Sequence, residues 1–209
     1  MYTDSTPIGD FLDATAAKQP IPGGGSVAAL VGALAAAIGE MSLNYSVGRK
    51  SNIPETEGIL RQSLVELSRA RKLMLRLMEE DQAAYDLLTA ARKMPDSNPA
   101  KTSEINVSLL ACIRIPQAMA ACGLAVLQEM DRVWEIASVH LLSDLAVCGE
   151  LAMATVRCGV YNVRANLPSL NDAAERQHFE KATERLLVPA TEIMKRNLPR
   201  IWQRYRQST

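Results

Sequence analysis

Apolar positions recur along most of the chain in steps of three and four. A two-residue alternation is sustained nowhere, so almost every segment is predicted as helix. Ala and Leu dominate these segments and β-branched runs are short. Prolines and glycines set the punctuation. Pro7, Pro20 and Pro22 bracket a first short helix ending near Lys18. A long apolar helix follows Gly23-Gly24-Gly25 and runs to about Val47; Gly48 to Pro54 form a loop, and a second long helix covers Glu55 to Arg92. Beyond a loop at Lys93 to Lys101, a third helix spans Thr102 to about Ile136, with a bend expected at Pro116. A fourth runs from near Leu141 to about Asn166, where Leu167-Pro168 stops it. The last helical segment covers Asp172 to about Arg206, with interruptions expected at Pro189 and Pro199. No linker and no repeat divides the chain. The pattern predicts one all-α domain over residues 1–209, a bundle of long antiparallel helices.

Two acids fall on stripes that otherwise read as core. Steps of four and three from Leu60 give Leu64, Leu67, Arg71, Met74, Met78, Asp81, Tyr85 and Leu88. Burying a carboxylate costs several kcal/mol unless it is paired. Asp81 therefore either pairs with a neighbouring Arg or faces a pocket. Asp144 lies with Cys148, Leu151, Thr155 and Asn162 near one stripe of the fourth helix. It either faces a pocket or serves as a first-turn acid favoured by the helix dipole. Asn162 stands 18 residues further on, about 27 Å along a straight helix. It is thus expected to be structural, or to belong to another site.

Composition narrows the function classes. Lys+Arg and Asp+Glu both number 23, so the net charge is zero. That argues against nucleic-acid binding through a basic field, and 4% aromatics leave few rings to stack on bases. With two histidines, His140 and His178, a His-rich metal site is not expected. Cys112, Cys122, Cys148 and Cys158 form no Cys-x-x-Cys pair and are expected as buried thiols. The opening Met1-Tyr2-Thr3-Asp4-Ser5 carries no basic stretch, which gives the expectation of a cytoplasmic chain. The longest apolar run, Val27 to Gly39, is closed by Glu40 and falls short of the ~20 residues of a membrane span.

The most specific local motif is Pro22-Gly23-Gly24-Gly25-Ser26-Val27-Ala28-Ala29, opening a helix. Glycines there permit positive φ and close backbone approach. The helix start offers free N–H groups and partial positive charge to an anion, and Ser26 is placed to cap the helix or bind a ligand. No Gly-Lys-Ser/Thr follows and no strand precedes, so it is neither a phosphate loop nor a dinucleotide fingerprint. The same glycines also suit a purely architectural helix start.

This motif resembles the signature of the formiminotransferase-cyclodeaminase family, in its cyclodeaminase/cyclohydrolase domain. The resemblance continues in order through Gly48-Arg49-Lys50, Asp81-Gln82-Ala83-Ala84-Tyr85, Ile115-Pro116, Ser143-Asp144 and Asn162-Val163-Arg164-Ala165-Asn166-Leu167, spanning roughly residues 5 to 170. The chain departs from it at Ile136-Ala137-Ser138-Val139-His140, where the family has a Gly-Asn-rich stretch.

The resemblance implies an all-α homodimer acting on tetrahydrofolate one-carbon adducts, without metal or redox cofactor. It implies hydrolysis of 5,10-methenyltetrahydrofolate to 10-formyltetrahydrofolate, or else release of ammonia from 5-formiminotetrahydrofolate. A third reading keeps the fold as a non-catalytic folate-binding scaffold. A carboxylate beside the cationic methenyl carbon would stabilise it and act as general base, which selects Asp81 and Asp144. For the substrate, and its glutamate tail in particular, the expected contacts are Gly24, Gly25, Ser26, Arg49 and Lys50. The basic run Lys195 to Arg206, with five cations and no acid, either suits the dipole of a last helix or attracts an acidic tail. Helix length supports a dimer: Glu55 to Arg92 alone would extend about 57 Å, leaving apolar faces that usually mark an interface.

Overall fold

The computed structural model describes residues 1–208 and contains no strand among them. Six α-helices follow in order: α1 (Ile8–Ala16), α2 (Gly24–Asn44), α3 (Pro54–Arg92), α4 (Lys101–Val133), α5 (Leu142–Asn166) and α6 (Ala173–Ser208). Short 3₁₀ turns at Val139–Leu141 and Leu167–Ser169 flank α5. The all-α expectation is met, and the ends of α1 and α2 fall two or three residues earlier than the pattern predicts.

α2, α3, α4 and α5 close into a four-helix bundle in which each helix packs against the next, with α2 and α4 on a diagonal. Glycines set the register of α2. A Cβ added at Gly25, Gly32 or Gly39 would meet Asp81, Met74 and Leu67 of α3 respectively. The steps are seven residues on both helices, running in opposite directions, so α2 and α3 are antiparallel and meet rung by rung. On its other side α2 runs antiparallel to α5, with Gly24 against Asn162, Gly32 against Thr155 and Gly39 against Cys148. Small residues bring the backbones close, and Leu67, Met74 and Met78 fill the space, all three at 2% exposure or less.

α6 lies outside this bundle, against α5 and α4. It is antiparallel to α5, as Met194 beside Gly149 and Glu180 bound to Arg164 show, and parallel to α4, where Asp131 pairs with Arg196 and Glu135 with Arg200. Pro189 and Pro199 lie within α6 without ending it, contrary to the expected interruptions. An interior proline costs ~3 kcal/mol. Burial of Ala190, Ile193, Met194 and Ile201 offsets that cost.

α2, α4 and the segment Val139–Ser169 are long and apolar enough to cross a membrane by length and composition, with mean hydropathies of 1.7, 1.7 and 1.4 in their best windows. This corrects the expectation drawn from the single run Val27 to Gly39. About half of each window is buried inside the bundle, where Ala, Gly, Cys and Met form the contacts between helices.

Candidate active site

At one end of the bundle the N-terminus of α2, the C-terminal third of α3, the middle of α4 and the last turn of α5 surround a cavity of about 260 Å³. Gly24, Gly25, Asp81 and Asn162 all line it. Asp81 occupies the end rung of the α2–α3 ladder, where a Cβ on Gly25 would stand 2.2 Å from its Oδ1 and 2.5 Å from its Cγ. Glycine is required here by close approach and not by dihedral angle, because Gly48 alone has positive φ among the described residues.

Ser26 is fully buried and donates its Oγ–H to Asp81 Oδ2 at 3.2 Å. Its backbone N–H also faces the same carboxylate and favours the ionised form. Ser26 is therefore not a helix cap: Gly23 occupies the N-cap, with no side-chain bond. The free N–H groups and partial positive charge of the α2 start already serve an anion, and that anion is Asp81 itself. Burial pushes the Asp81 carboxyl above the usual carboxylate range, and the two Ser26 donors pull part of the way back. Among the described residues no arginine pairs with it; Arg71, three steps back along the stripe, binds Glu40 through two hydrogen bonds of 2.6 and 3.3 Å. Asp81 faces the pocket.

Neighbouring residues of the motif hold this arrangement. Gln82 is fully buried, accepts from the Tyr2 N–H at 2.7 Å, and donates to the carbonyls of Tyr2 and Met78. It fastens the N-terminal segment to α3. Pro116 lies in α4 with no N–H for the carbonyl four residues earlier, that of Cys112. Asn166 Nδ2 supplies the missing donor at 3.0 Å and also donates to Asn162 O at 3.0 Å. Asn162 Nδ2 donates to Cys158 O, which leaves its Oδ1 beside Gly24, 3.4 Å from where a Cβ would be. Sequence spacing alone set Asn162 aside; the antiparallel register of α2 and α5 brings it to Asp81's end of the bundle.

The other expected residues are elsewhere in the chain. Asp144 stands in the first turn of α5, half-buried, one turn beyond Cys148, which faces Gly39. That places it about 27 Å from the Asn162 end of the helix. Arg49 and Lys50 are exposed in the loop after α2, a full 21-residue helix from Gly24, or about 30 Å. Within one chain, Asp144, Arg49 and Lys50 form no part of the Asp81 pocket. The basic C-terminal run is engaged structurally: Arg196 pairs with Asp131, and Arg200 with Glu135 and the Trp134 ring. Arg204 donates to the carbonyls of Trp134 and Ala137. All four cysteines are free thiols; Cys112, Cys122 and Cys148 are buried and Cys158 is half-buried. Among the described residues no group of three or more His, Cys, Asp or Glu is placed to hold a metal ion.

The end of the bundle thus carries a half-buried, hydrogen-bonded carboxylate beside a solvent-open cavity, the kind of place where acid–base and binding sites are found. Residues 7–185 match the formiminotransferase-cyclodeaminase family, and the chain belongs to it. It is 30% identical over 193 residues to the methenyltetrahydrofolate cyclohydrolase of Methylorubrum extorquens, covering 90% of this chain and 92% of that one. It is 28% identical to the formimidoyltransferase-cyclodeaminase of Gallus gallus, covering 88% of this chain and 35% of that much longer protein. The crystal structure of a formiminotetrahydrofolate cyclodeaminase from Thermotoga maritima superposes with a TM-score of 0.85 over 97% of both chains, at 22% identity, which establishes the fold.

Proposed function

We propose that this protein is a folate one-carbon enzyme that hydrolyses 5,10-methenyltetrahydrofolate to 10-formyltetrahydrofolate, with Asp81 as its acid–base group. The observation that carries the reading is the Asp81 carboxylate, held by Ser26 at the α2 N-terminus and open to the cavity. The methenyl carbon bridges two nitrogens as an amidinium cation, which a carboxylate stabilises. Water adds to that carbon and Asp81 takes its proton. The new C–O bond becomes a formyl group as the bond to N5 breaks, and N5 receives the proton Asp81 held. The second proton of the water leaves to solvent. This is proton transfer and needs no metal or redox cofactor. The cavity is smaller than the ~300–1,000 Å³ of typical ligand sites, so the distal part of a folate would extend past its mouth.

Cyclodeamination of 5-formiminotetrahydrofolate is the second reading, since N10 attack on the formimino carbon with loss of ammonia passes through a related tetrahedral centre. End-to-end similarity to a stand-alone cyclohydrolase favours the first. A folate-binding scaffold without chemistry would have no use for a carboxylate held at cost on a core stripe. We further read the protein as cytoplasmic, with a folate as its small-molecule partner and with neither nucleic acid nor membrane as a partner. We also read it as a homodimer: an apolar groove of about 480 Å³ between α3 and α4 exposes Leu73 beside Ala118, Ala121 and Ala125, a surface suited to a second copy.

The methenyl chromophore tests the activity. Loss of its near-ultraviolet absorbance on adding enzyme supports hydrolysis. Its appearance from the formimino substrate supports cyclodeamination. No change with either substrate rejects both.

A further inference from the structure

Asp81, Tyr85, Leu88 and Arg92 follow one another on α3 at steps of four, three and four, and all four line the cavity. Eleven residues is close to three full turns, so Arg92 sits directly above Asp81 on the same face, about 16 Å along the axis. Helical side chains lean toward the helix N-terminus, which turns the Arg92 guanidinium back toward the cavity. Its charge is felt at Cys112, on the opposite wall. Asp81 and Arg92 are the two charged residues of the lining. Arg92 is exposed and forms no ion pair among the described residues.

The α2 N-terminus is taken by Asp81, and Arg49 and Lys50 lie at the far end of the bundle. One anchor for an anion therefore remains at this cavity. We propose that Arg92 is the specificity residue that binds a glutamyl carboxylate of the folate. The assignment rests on the folate reading above. The order of groups along α3 matches the order along the ligand: the acid at the cationic one-carbon end, Tyr85 and Leu88 flanking the aminobenzoyl ring, and the cation at the glutamate. A guanidinium presents paired donors to a carboxylate, which fits this role better than a point charge. Arg92 also lies in the last turn of α3, where a cation stabilises the helix dipole. The two roles differ in what they change: the dipole affects melting temperature, whereas ligand recognition affects discrimination between ligands with and without glutamate.

The experiment compares folic acid with pteroic acid, which lacks the glutamate, by equilibrium titration of wild type, Arg92→Gln and Arg92→Lys. The same variants are assayed on 5,10-methenyltetrahydrofolate and its tetrahydropteroate counterpart. Wild type should prefer folic acid by roughly ten- to a hundredfold. Arg92→Gln should lose that preference, with KM raised and kcat nearly unchanged, and Arg92→Lys should recover part of it. An undiminished preference in a folded Arg92→Gln protein, or a wild type with no preference, overturns the assignment. Arg92-dependent folic acid binding without turnover of any one-carbon substrate would overturn the activity while leaving the carboxylate site standing.

Discussion

Asn166 donates to the carbonyl of Cys112 at 3.0 Å, in the place where Pro116 has no N–H to give. The proline opens the α4 backbone at the cavity wall, and a side chain from α5 closes it. Replacing Asn166 with Ala should therefore leave a buried carbonyl unpaired and cost about 1–3 kcal/mol. Adding Pro116→Ala restores the helical N–H, so the double variant should recover part of the loss. Denaturant melts of the two single variants and the double variant measure this coupling; strict additivity would mean that the two residues act separately.

Asp81→Asn keeps the volume and removes the charge. Loss of an acid–base group typically costs ~10²–10⁴ in rate. The stability change should run the other way. Asp81's pKa is raised on folding, chiefly by burial, so the folded state holds the proton more tightly than the unfolded one. Stability from this group is present below its unfolded pKa and is lost as pH rises through the folded pKa. At neutral pH the Asn variant should thus melt at or above wild type, and the gap should shrink on acidification. Thermal melts and turnover on the same preparations check both signs.

Ser26→Ala removes one of the two donors that lower the Asp81 pKa. The ascending limb of the pH–rate profile should move to higher pH, because the base now ionises later. Gly25→Ala places a methyl group against the carboxylate and should abolish turnover at any pH, while stability falls by no more than the ~1–3 kcal/mol typical of overpacking. A pH–rate profile left unmoved by Ser26→Ala would separate Ser26 from the chemistry.

Glycines along the bundle should rank by what faces them. A Cβ at Gly159 would lie 2.7 Å from the Pro116 carbonyl oxygen, fixed in a helix backbone, whereas one at Gly32 would meet the flexible end of Met74. Gly159→Ala is expected to destabilise more than Gly32→Ala, as read by denaturant midpoint.

Burial raises the Cys122 thiol to about 11 and the Cys148 thiol to about 12. At pH 8 neither should react with a thiol reagent until the protein unfolds, and mass mapping of alkylated cysteines before and after denaturation reads this directly.

Much of this was legible in the sequence. The helices, the stripe through Asp81 and the glycine-led turn follow from spacing, because local period fixes which residues share a face. Which faces meet is a matter of pairing between helices. For that reason Asp144 and Arg49, chosen from the sequence, sit at the far end, whereas Asn162, which spacing assigns to structure or to another site, and Arg92, which no local pattern singles out, sit at the cavity. The Ser26–Asp81 bond spans 55 positions, and no local pattern announces that an anion site will be filled by the chain's own carboxylate. Pro189 and Pro199 read as breaks because propensity is local, while the contacts that hold α6 together come from α4 and α5.

The glycine ladder between α2 and α3 carries an evolutionary consequence. At its two inner rungs the room left by a glycine is filled by Leu67 or Met74; at the outermost rung the same room holds Asp81. The proposed reaction centre occupies a packing layer in which an acid stands where the inner rungs carry an apolar plug, next to the cavity. A purely structural ancestor of this bundle would stand one codon away, with Leu or Met at position 81, and could gain chemistry without redesigning its backbone. The same exchange at position 67 or 74 would strand a charge among buried neighbours, so novelty in this architecture enters at the ends of the bundle and not in its middle.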